Sequence, residues 1–391
     1  MIFLLEAMLI IIRTSNIYTD GNRLENKDIA VEGGIISAVG ADMRNPDIDL
    51  SGLSVLPGFI DIHMHGGNGS DVMDASYEAI NNLSLYKLKE GVTAFCPAAV
   101  TSGMDKCYAA VKTINEAIDR GVDGARVLGA FLEGPYINPA FKGAHPEEYI
   151  RGVSLNEIND LLEKGKGSVM SVAIAPELPG AIGVIKELSQ RNINVRLGHS
   201  GASYEEAIAG IEAGGSIAIH TYNAMSPFNH RAPGMIGAAL DNGSIYNEIV
   251  CDFIHTHRAA VSILYKIKGP DKIILVTDCM RAGGMPDGSY KLGELTVTVK
   301  NGIARTESGA LAGSTLTMLN AVKNMRKLGV PLREAAKMAS SAPAKALGIF
   351  DRAGDISEGK YADIIALDED LNLKFVMAGG QVKMNISGGT V

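Results

Sequence analysis

Two histidines stand two residues apart at the end of an apolar run, in Pro57-Gly58-Phe59-Ile60-Asp61-Ile62-His63-Met64-His65-Gly66. Residues i and i+2 of an extended strand point to one side, so His63 and His65 can aim two imidazoles at one point. Imidazole is the commonest protein metal ligand near neutral pH. A lone His-x-His carries little weight. Its weight here comes from further polar residues that close later apolar runs: Glu133 in Leu132-Glu133-Gly134-Pro135, His199 in Leu197-Gly198-His199-Ser200, His220 in His220-Thr221-Tyr222-Asn223, His255 shortly after another run, and Asp278 in Val276-Thr277-Asp278-Cys279. Hydrolysis of an unactivated amide near pH 7 needs a nucleophile of hydroxide strength. A divalent metal supplies one by lowering the pKa of bound water from about 15.7 to about 7. Glu and His suit Zn or Fe(II), and a free carboxylate can take the water's proton and return it to the leaving amine. Asp278 is the natural candidate for that base.

Such residues need a scaffold that brings distant strand ends together. Apolar runs recur at Leu56–His65, Thr93–Val100, Arg126–Leu132, Val169–Ala175, Asn194–His199, Ser216–Thr221, Asn247–Asp252 and Lys272–Asp278. Amphipathic helical stretches separate most of them, among them Tyr77–Lys89, Asp105–Arg120, Leu155–Lys164, Ala181–Arg191 and Tyr204–Ala213. This alternation points to a (β/α)8 TIM-type barrel, whose active sites lie at the C-terminal ends of the strands. A doubly wound open sheet usually has fewer strands and a Gly-rich first turn, which is absent. The flanks read as short strands with turns at Asp20-Gly21, Gly33-Gly34 and Gly379-Gly380. The expectation is a small β-sandwich domain built from residues 1–55 and 355–391, with the barrel, 56–354, inserted between them. Alternation at Leu295, Val297 and Val299 predicts a hairpin over Gly288–Arg305 after the eighth strand.

Composition narrows the partners. The 391 residues carry 36 Lys and Arg against 44 Asp and Glu, a formal net charge of -8. Without a long basic run this argues against a nucleic-acid or anionic-membrane surface, and an anionic substrate must be held by a few local donors. No apolar run reaches the ~18 residues of a membrane span. Cys96, Cys107, Cys251 and Cys279 have no CxxC spacing, and three lie in apolar runs, so buried reduced thiols in a reducing, cytoplasmic setting are expected. Met1–Ile12 lacks the charged region and cleavage site of a signal peptide, and Met8 is the expected natural start, because Leu9–Arg13 already reads as a strand.

With these residues in place, the chain resembles the N-acetylglucosamine-6-phosphate deacetylase family of the amidohydrolase superfamily. The likeness rests on PGFIDIHMHG, LEGPYINPAFKGAH, APE, LGHS, HTYNAM, DFIH, VTD and LAGS, in that order along nearly the whole chain. The resemblance implies that Glu133, His199 and His220 form the main metal site, with His63 and His65 supporting a second metal. One or two divalent ions per chain are expected, Zn or Fe(II) foremost, with Mn and Co left open. Many amidohydrolases bridge two metals with a carboxylated lysine, whereas Glu133 resembles the sugar deacetylases. The family further implies a sugar-phosphate pocket. Ala144 and His145 would meet the substrate, His145 polarising the acetyl carbonyl. Asn223 and Ala224 would follow, and Asp252, Phe253, Ile254 and His255 would line the sugar, with His255 near the phosphate. Leu311, Ala312 and Gly313 would close over it. Arg231 matches an arginine that reaches phosphate in the neighbouring subunit, which implies at least a homodimer. The expected reaction converts N-acetyl-D-glucosamine 6-phosphate and water to D-glucosamine 6-phosphate and acetate. The galactosamine epimer, another amide, and a catalytically silent barrel are the competing readings.

Overall fold

The computed structural model describes residues 9–41, 43 and 45–386. The Met8 start lies outside them. Eight parallel strands form the barrel: Phe59–Met64, Val92–Val100, Ala130–Glu133, Val169–Ile174, Asn194–Leu197, Gly215–Ala218, Tyr246–Val250 and Ile273–Val276. Each is hydrogen-bonded to the next in chain order. First and eighth meet at their C-terminal ends, where Asp278 N–H donates to the His63 carbonyl (2.9 Å) and His65 N–H to the Cys279 carbonyl (2.8 Å). Parallel strands are covered on both faces and so read as unbroken apolar runs. Val92–Val100 is buried at every position.

The helices follow from period and caps. Met104–Arg120 buries Cys107, Ala110, Val111, Ile114 and Ala117, one face at helical spacing. Ser76, Ser154 and Ser203 cap the helices that begin at Tyr77, Leu155 and Tyr204. The five helices anticipated from sequence are present within a residue or so at each end. The hairpin after the eighth strand is a three-stranded sheet, Gly288–Leu292, Leu295–Lys300 and Ile303–Arg305. It is pinned to the barrel's rim, where Glu294 accepts from Ser102 (2.9 Å) and pairs with Lys106.

Both chain ends build the expected small β domain, a seven-stranded sheet wrapped around its own core, with Ile35 bridging to Tyr361. Ile12, Ile17, Ile29 and Ile36 from the N-terminal side pack there with Ile364, Phe375 and Met377 from the C-terminal side. The apolar run Leu56–His65 is divided between the two bodies. Leu56 and Pro57 pair with Ile365 and Ile364 in the small sheet, while the barrel strand begins at Phe59. Gly58 sits at the crossing because a Cβ there would lie 2.2 Å from Thr93 Oγ1. The two bodies are joined by Asp363, which accepts from Arg126 at 3.2 and 3.3 Å and from Gly379 N–H at 2.7 Å. The Arg126 guanidinium also stacks on Tyr361 at 4.0 Å. Among the described residues, no helix is long and apolar enough to cross a membrane.

Hydrogen bonds to charged groups contribute about 1.5–3 kcal/mol. Asp363→Ala, which leaves Arg126 and Gly379 N–H without their acceptor, should therefore lower the unfolding free energy by about that amount. Urea titration measures it.

Candidate active site

The barrel's C-terminal rim collects the chemistry. Glu133 is the last residue of the third strand, and His63 lies in the first strand with His65 directly after it. His199, His220 and Asp278 stand just beyond strands five, six and eight, with φ of +47°, +25° and +48°. Non-glycine residues in this left-handed region cost about 1–3 kcal/mol each. At Asp278 the surrounding contacts hold that backbone in place. Ser314 N–H donates to the Asp278 carbonyl (2.7 Å), Ser314 Oγ to the Thr277 carbonyl (2.5 Å), and Thr277 Oγ1 to Asp61 (2.6 Å).

Glu133 is the centre of convergence. Its Oε1 lies 3.1 Å from His220 Nε2, 3.3 Å from His199 Nε2 and 3.4 Å from His63 Nε2. Its Oε2 lies 2.9 Å from His65 Nε2 and 3.6 Å from His145 Nε2. Asp278 Oδ1 stands across from it, 3.2 Å from His65 Nε2 and 3.6 Å from His63 Nε2. Several rings are oriented through their other nitrogen: His65 Nδ1 on the Ala98 carbonyl (3.0 Å), His199 Nδ1 on the Phe141 carbonyl (2.9 Å) and His63 Nδ1 on Glu248 (2.9 Å). A carbonyl or carboxylate only accepts, so Nδ1 carries a proton and Nε2 is the nitrogen turned toward Glu133, able to bind a metal once it gives up any proton of its own.

This donor set fits a divalent metal. His199 and His220 hold their Nε2 atoms 3.1 Å apart, close to the roughly 3.3 Å between two nitrogens on a tetrahedral Zn. The His63 Nε2 atom is buried with no hydrogen-bond partner, which is costly unless a cation or proton sits beside it. Buried nitrogen and oxygen donors gather as two overlapping groups, His63–His65–Glu133 and Glu133–His145–His199, with Glu133 common to both.

Burial by itself lowers the His63 pKa, but Glu133 and Glu248 overcome this and raise it to about 10. His65 is likewise opposed by burial yet driven well above the usual imidazole range by Asp278 and Glu133. Burial disfavours the charged Asp278, but His65 and His63 hold its pKa down at about 2. His145 goes the other way. Burial and the neighbouring His199 push it to about 3, leaving a neutral ring. In the metal-free protein the first strand's histidines are thus protonated at neutral pH, and a metal must displace those protons. Metal loading at pH 7 should release protons, and affinity should rise as pH climbs toward about 10. Calorimetry in buffers of different ionisation enthalpy reads the release. An affinity flat between pH 6.5 and 9 would contradict the assignment.

A cavity of about 280 Å³ opens over the cluster. Ala144, His145, Asn223, Ala224, His255, Leu311 and Gly313 line it with Glu133, His65, His199, His220 and Asp278. The other anticipated residues stand back from it. Asp252 grips His255 Nδ1 at 2.6 Å and the His255 backbone at 2.8 Å. Burial would lower the His255 pKa, but Asp252 raises it. Phe253 adopts φ +63°, Ile254 is exposed, and Ala312 is buried against the three-stranded sheet. Arg231 is exposed, outside its own chain's cavity, with His230 Nε2 3.1 Å from its guanidinium. Leu292 and Ala310, which bring the added sheet over the site, and Val100 line the cavity but carry no polar signal that sequence could reveal. Thr101, 2.7 Å from His145 Nδ1, and Glu248 are hidden for another reason. Both lie in or beside apolar runs that look like core.

An amidohydrolase-family model matches residues 54–391, and the chain belongs to that family. It is 41% identical to the N-acetylglucosamine-6-phosphate deacetylase of Vibrio furnissii over 355 residues, 90% of this chain and 89% of that protein. It is 38% identical to the N-acetylgalactosamine-6-phosphate deacetylase of Escherichia coli O157:H7, over 95% and 98% of the two chains. Among solved structures, the N-acetylglucosamine-6-phosphate deacetylase of Pasteurella multocida superposes with a TM-score of 0.91 at 34% identity, covering 97% of this chain and all of that one. A mutant of the Mycobacterium smegmatis N-acetyl-D-glucosamine-6-phosphate deacetylase, in complex with N-acetyl-D-glucosamine-6-phosphate, superposes with a TM-score of 0.90 at 30% identity over 96% of this chain and all of that one.

Proposed function

We propose that this chain is a metal-dependent deacetylase that hydrolyses N-acetyl-D-glucosamine 6-phosphate to D-glucosamine 6-phosphate and acetate. The observation that carries the reading is the convergence of Glu133, His199 and His220 opposite Asp278 at the floor of a sugar-sized cavity. Similarity to deacetylases of this substrate over most of the chain supports it.

Glu133, His199 and His220 would hold the main ion, and His63 and His65 a second one beside it. Zn or Fe(II) suits these ligands best. A bound divalent metal supplies Lewis acidity and a water of lowered pKa. The chain's own groups do the remaining work. Asp278, ionised at neutral pH, takes the proton of the attacking water and delivers it to the departing amine nitrogen. His145 is neutral and faces the acetyl group from the other side. To donate to the developing oxyanion it needs its proton on Nε2, which requires the Thr101 hydroxyl to donate to Nδ1. That hydroxyl stands 2.7 Å from Nδ1 and 3.3 Å from the Glu133 carbonyl and has one proton, so donating to Nδ1 means giving up the bond to the carbonyl. His255, Asn223 and the backbone at Ala224 and Leu311–Gly313 would orient the sugar phosphate. Arg231, exposed and outside its own cavity, would reach the phosphate in a partner subunit, so the working unit is a homodimer. The cysteines, all four free and buried, suit a reducing cytoplasm.

Acetate release from the 6-phosphate substrate, with metal content measured alongside, tests the reading. Turnover unaffected by removing the 6-phosphate would overturn it. Asp278→Asn should lower kcat by about 10²–10⁴-fold while metal content stays at the wild-type value. Arg231→Ala should raise KM with kcat little changed. The Escherichia coli relative makes the galactosamine epimer the second reading, and the ratio of kcat/KM for the two epimers decides between them.

A further inference from the structure

The barrel core directly beneath the site is charged. Arg196 on the fifth strand and Glu248 on the seventh are both fully buried and pair at 2.6 Å. Neither lines the cavity. The desolvation of a buried pair offsets or exceeds its Coulomb gain in many proteins, so stability alone is a weak reason for this one.

The remaining contacts supply another. One Glu248 oxygen accepts from Arg196. The other lies 2.9 Å from His63 Nδ1 and 3.2 Å from His220 N–H, at the +25° backbone. Arg196 cannot drift, because it also donates to the Ile62 carbonyl and Ser171 Oγ, both at 3.0 Å. Its guanidinium lies over the Phe131 ring at 3.8 Å, and Phe131 meets the His63 ring edge-on at 4.9 Å. His63 is thus gripped at one nitrogen and along one face, with Nε2 left pointing at Glu133 and Asp278. His65 and His199 use backbone carbonyls for the same purpose.

We propose that Arg196 and Glu248 are positioning residues for the metal centre. Arg196 fixes the Glu248 carboxylate, and Glu248 holds His63 as an Nδ1–H donor so that Nε2 is offered to the second metal position. The proposal rests on the two-metal reading above. Outer partners of this kind typically change metal affinity by about 10–100-fold.

Two double variants, both with a neutral core, isolate the acceptor. Arg196→Met with Glu248→Leu removes it. Arg196→Met with Glu248→Gln returns a carbonyl that can accept from His63. Each is loaded with zinc, its affinity for the second ion measured by chelator competition, and its ring N–H protons followed by NMR of 15N-histidine-labelled protein. The His63 signal is assigned by its loss in His63→Gln. The leucine pair should bind the second zinc about 10–100-fold more weakly and lose the His63 Nδ1–H signal, and the glutamine pair should recover both. Wild-type affinity in the leucine pair, or equal losses in both pairs, would overturn the proposal, since a merely structural ion pair would not distinguish them. Should the leucine pair fail to fold, the single Glu248→Gln replaces it. Arg196 only donates, so it claims the amide carbonyl and turns the NH2 toward His63, with the same loss expected. A wild-type protein that never exceeds one zinc per chain would defeat the two-metal reading. The His63 signal then decides alone: present in wild type and lost without the acceptor supports the positioning role, and persistence overturns it.

Discussion

A single buried carboxylate organises this molecule's chemistry. Glu133 draws the Nε2 atoms of His63, His65, His199, His220 and His145 to within 3.6 Å of its two oxygens. Burial would ordinarily raise such a carboxyl's pKa, yet the imidazoles around it, His63 first, hold it well below the usual range. Charge and geometry are tied together here. Lone pairs aimed at one another across about 3 Å in low dielectric are tolerable only with cations or protons among them. The cluster is therefore built to exchange protons for metal.

The barrel makes that concentration possible because its strands are parallel and all end on one rim. Chain positions far apart in sequence are delivered to one point by the ends of the first, third, fifth, sixth and eighth strands. The cost is local and falls at His199, His220 and Asp278, each in a left-handed backbone. Ser314, which donates to the Asp278 carbonyl, Asp61, which accepts from Thr277, and Glu248, which accepts from His220 N–H, hold the turns at Asp278 and His220 in place. Leu292 of the added three-stranded sheet and Ala310 just beyond it cover the rim, and the small sheet is tied to the barrel through Asp363 and Arg126.

Much of this was legible in the sequence because its signals are local. An apolar run closed by His, Glu or Asp announces a barrel strand and its functional tip in one stroke, as in Leu132-Glu133 and Val276-Thr277-Asp278. The helices were visible through their amphipathic period. The division of Leu56–His65 between two bodies was not, since Leu56 and Phe59 are equally apolar and only pairing partners separate them. Arg196 and Glu248 were hidden for a related reason. Each sits singly within an apolar run, and a charge there has meaning only when its counter-charge, 52 positions away, is known.

The sequence by itself determined the class of scaffold and which polar side chains, Glu133, His199, His220 and Asp278 among them, close its strands, because residue type and strand-end position are properties of short segments. The tertiary structure decided which nitrogen of each ring faces inward, that Glu133 is common to both donor groups, and that Arg231 lies outside its own cavity. Those facts depend on through-space partners at 3 Å, such as Ala98, Phe141 and Glu248 for the three rings. Such partners are set by how the barrel closes, and no local pattern of residues records that.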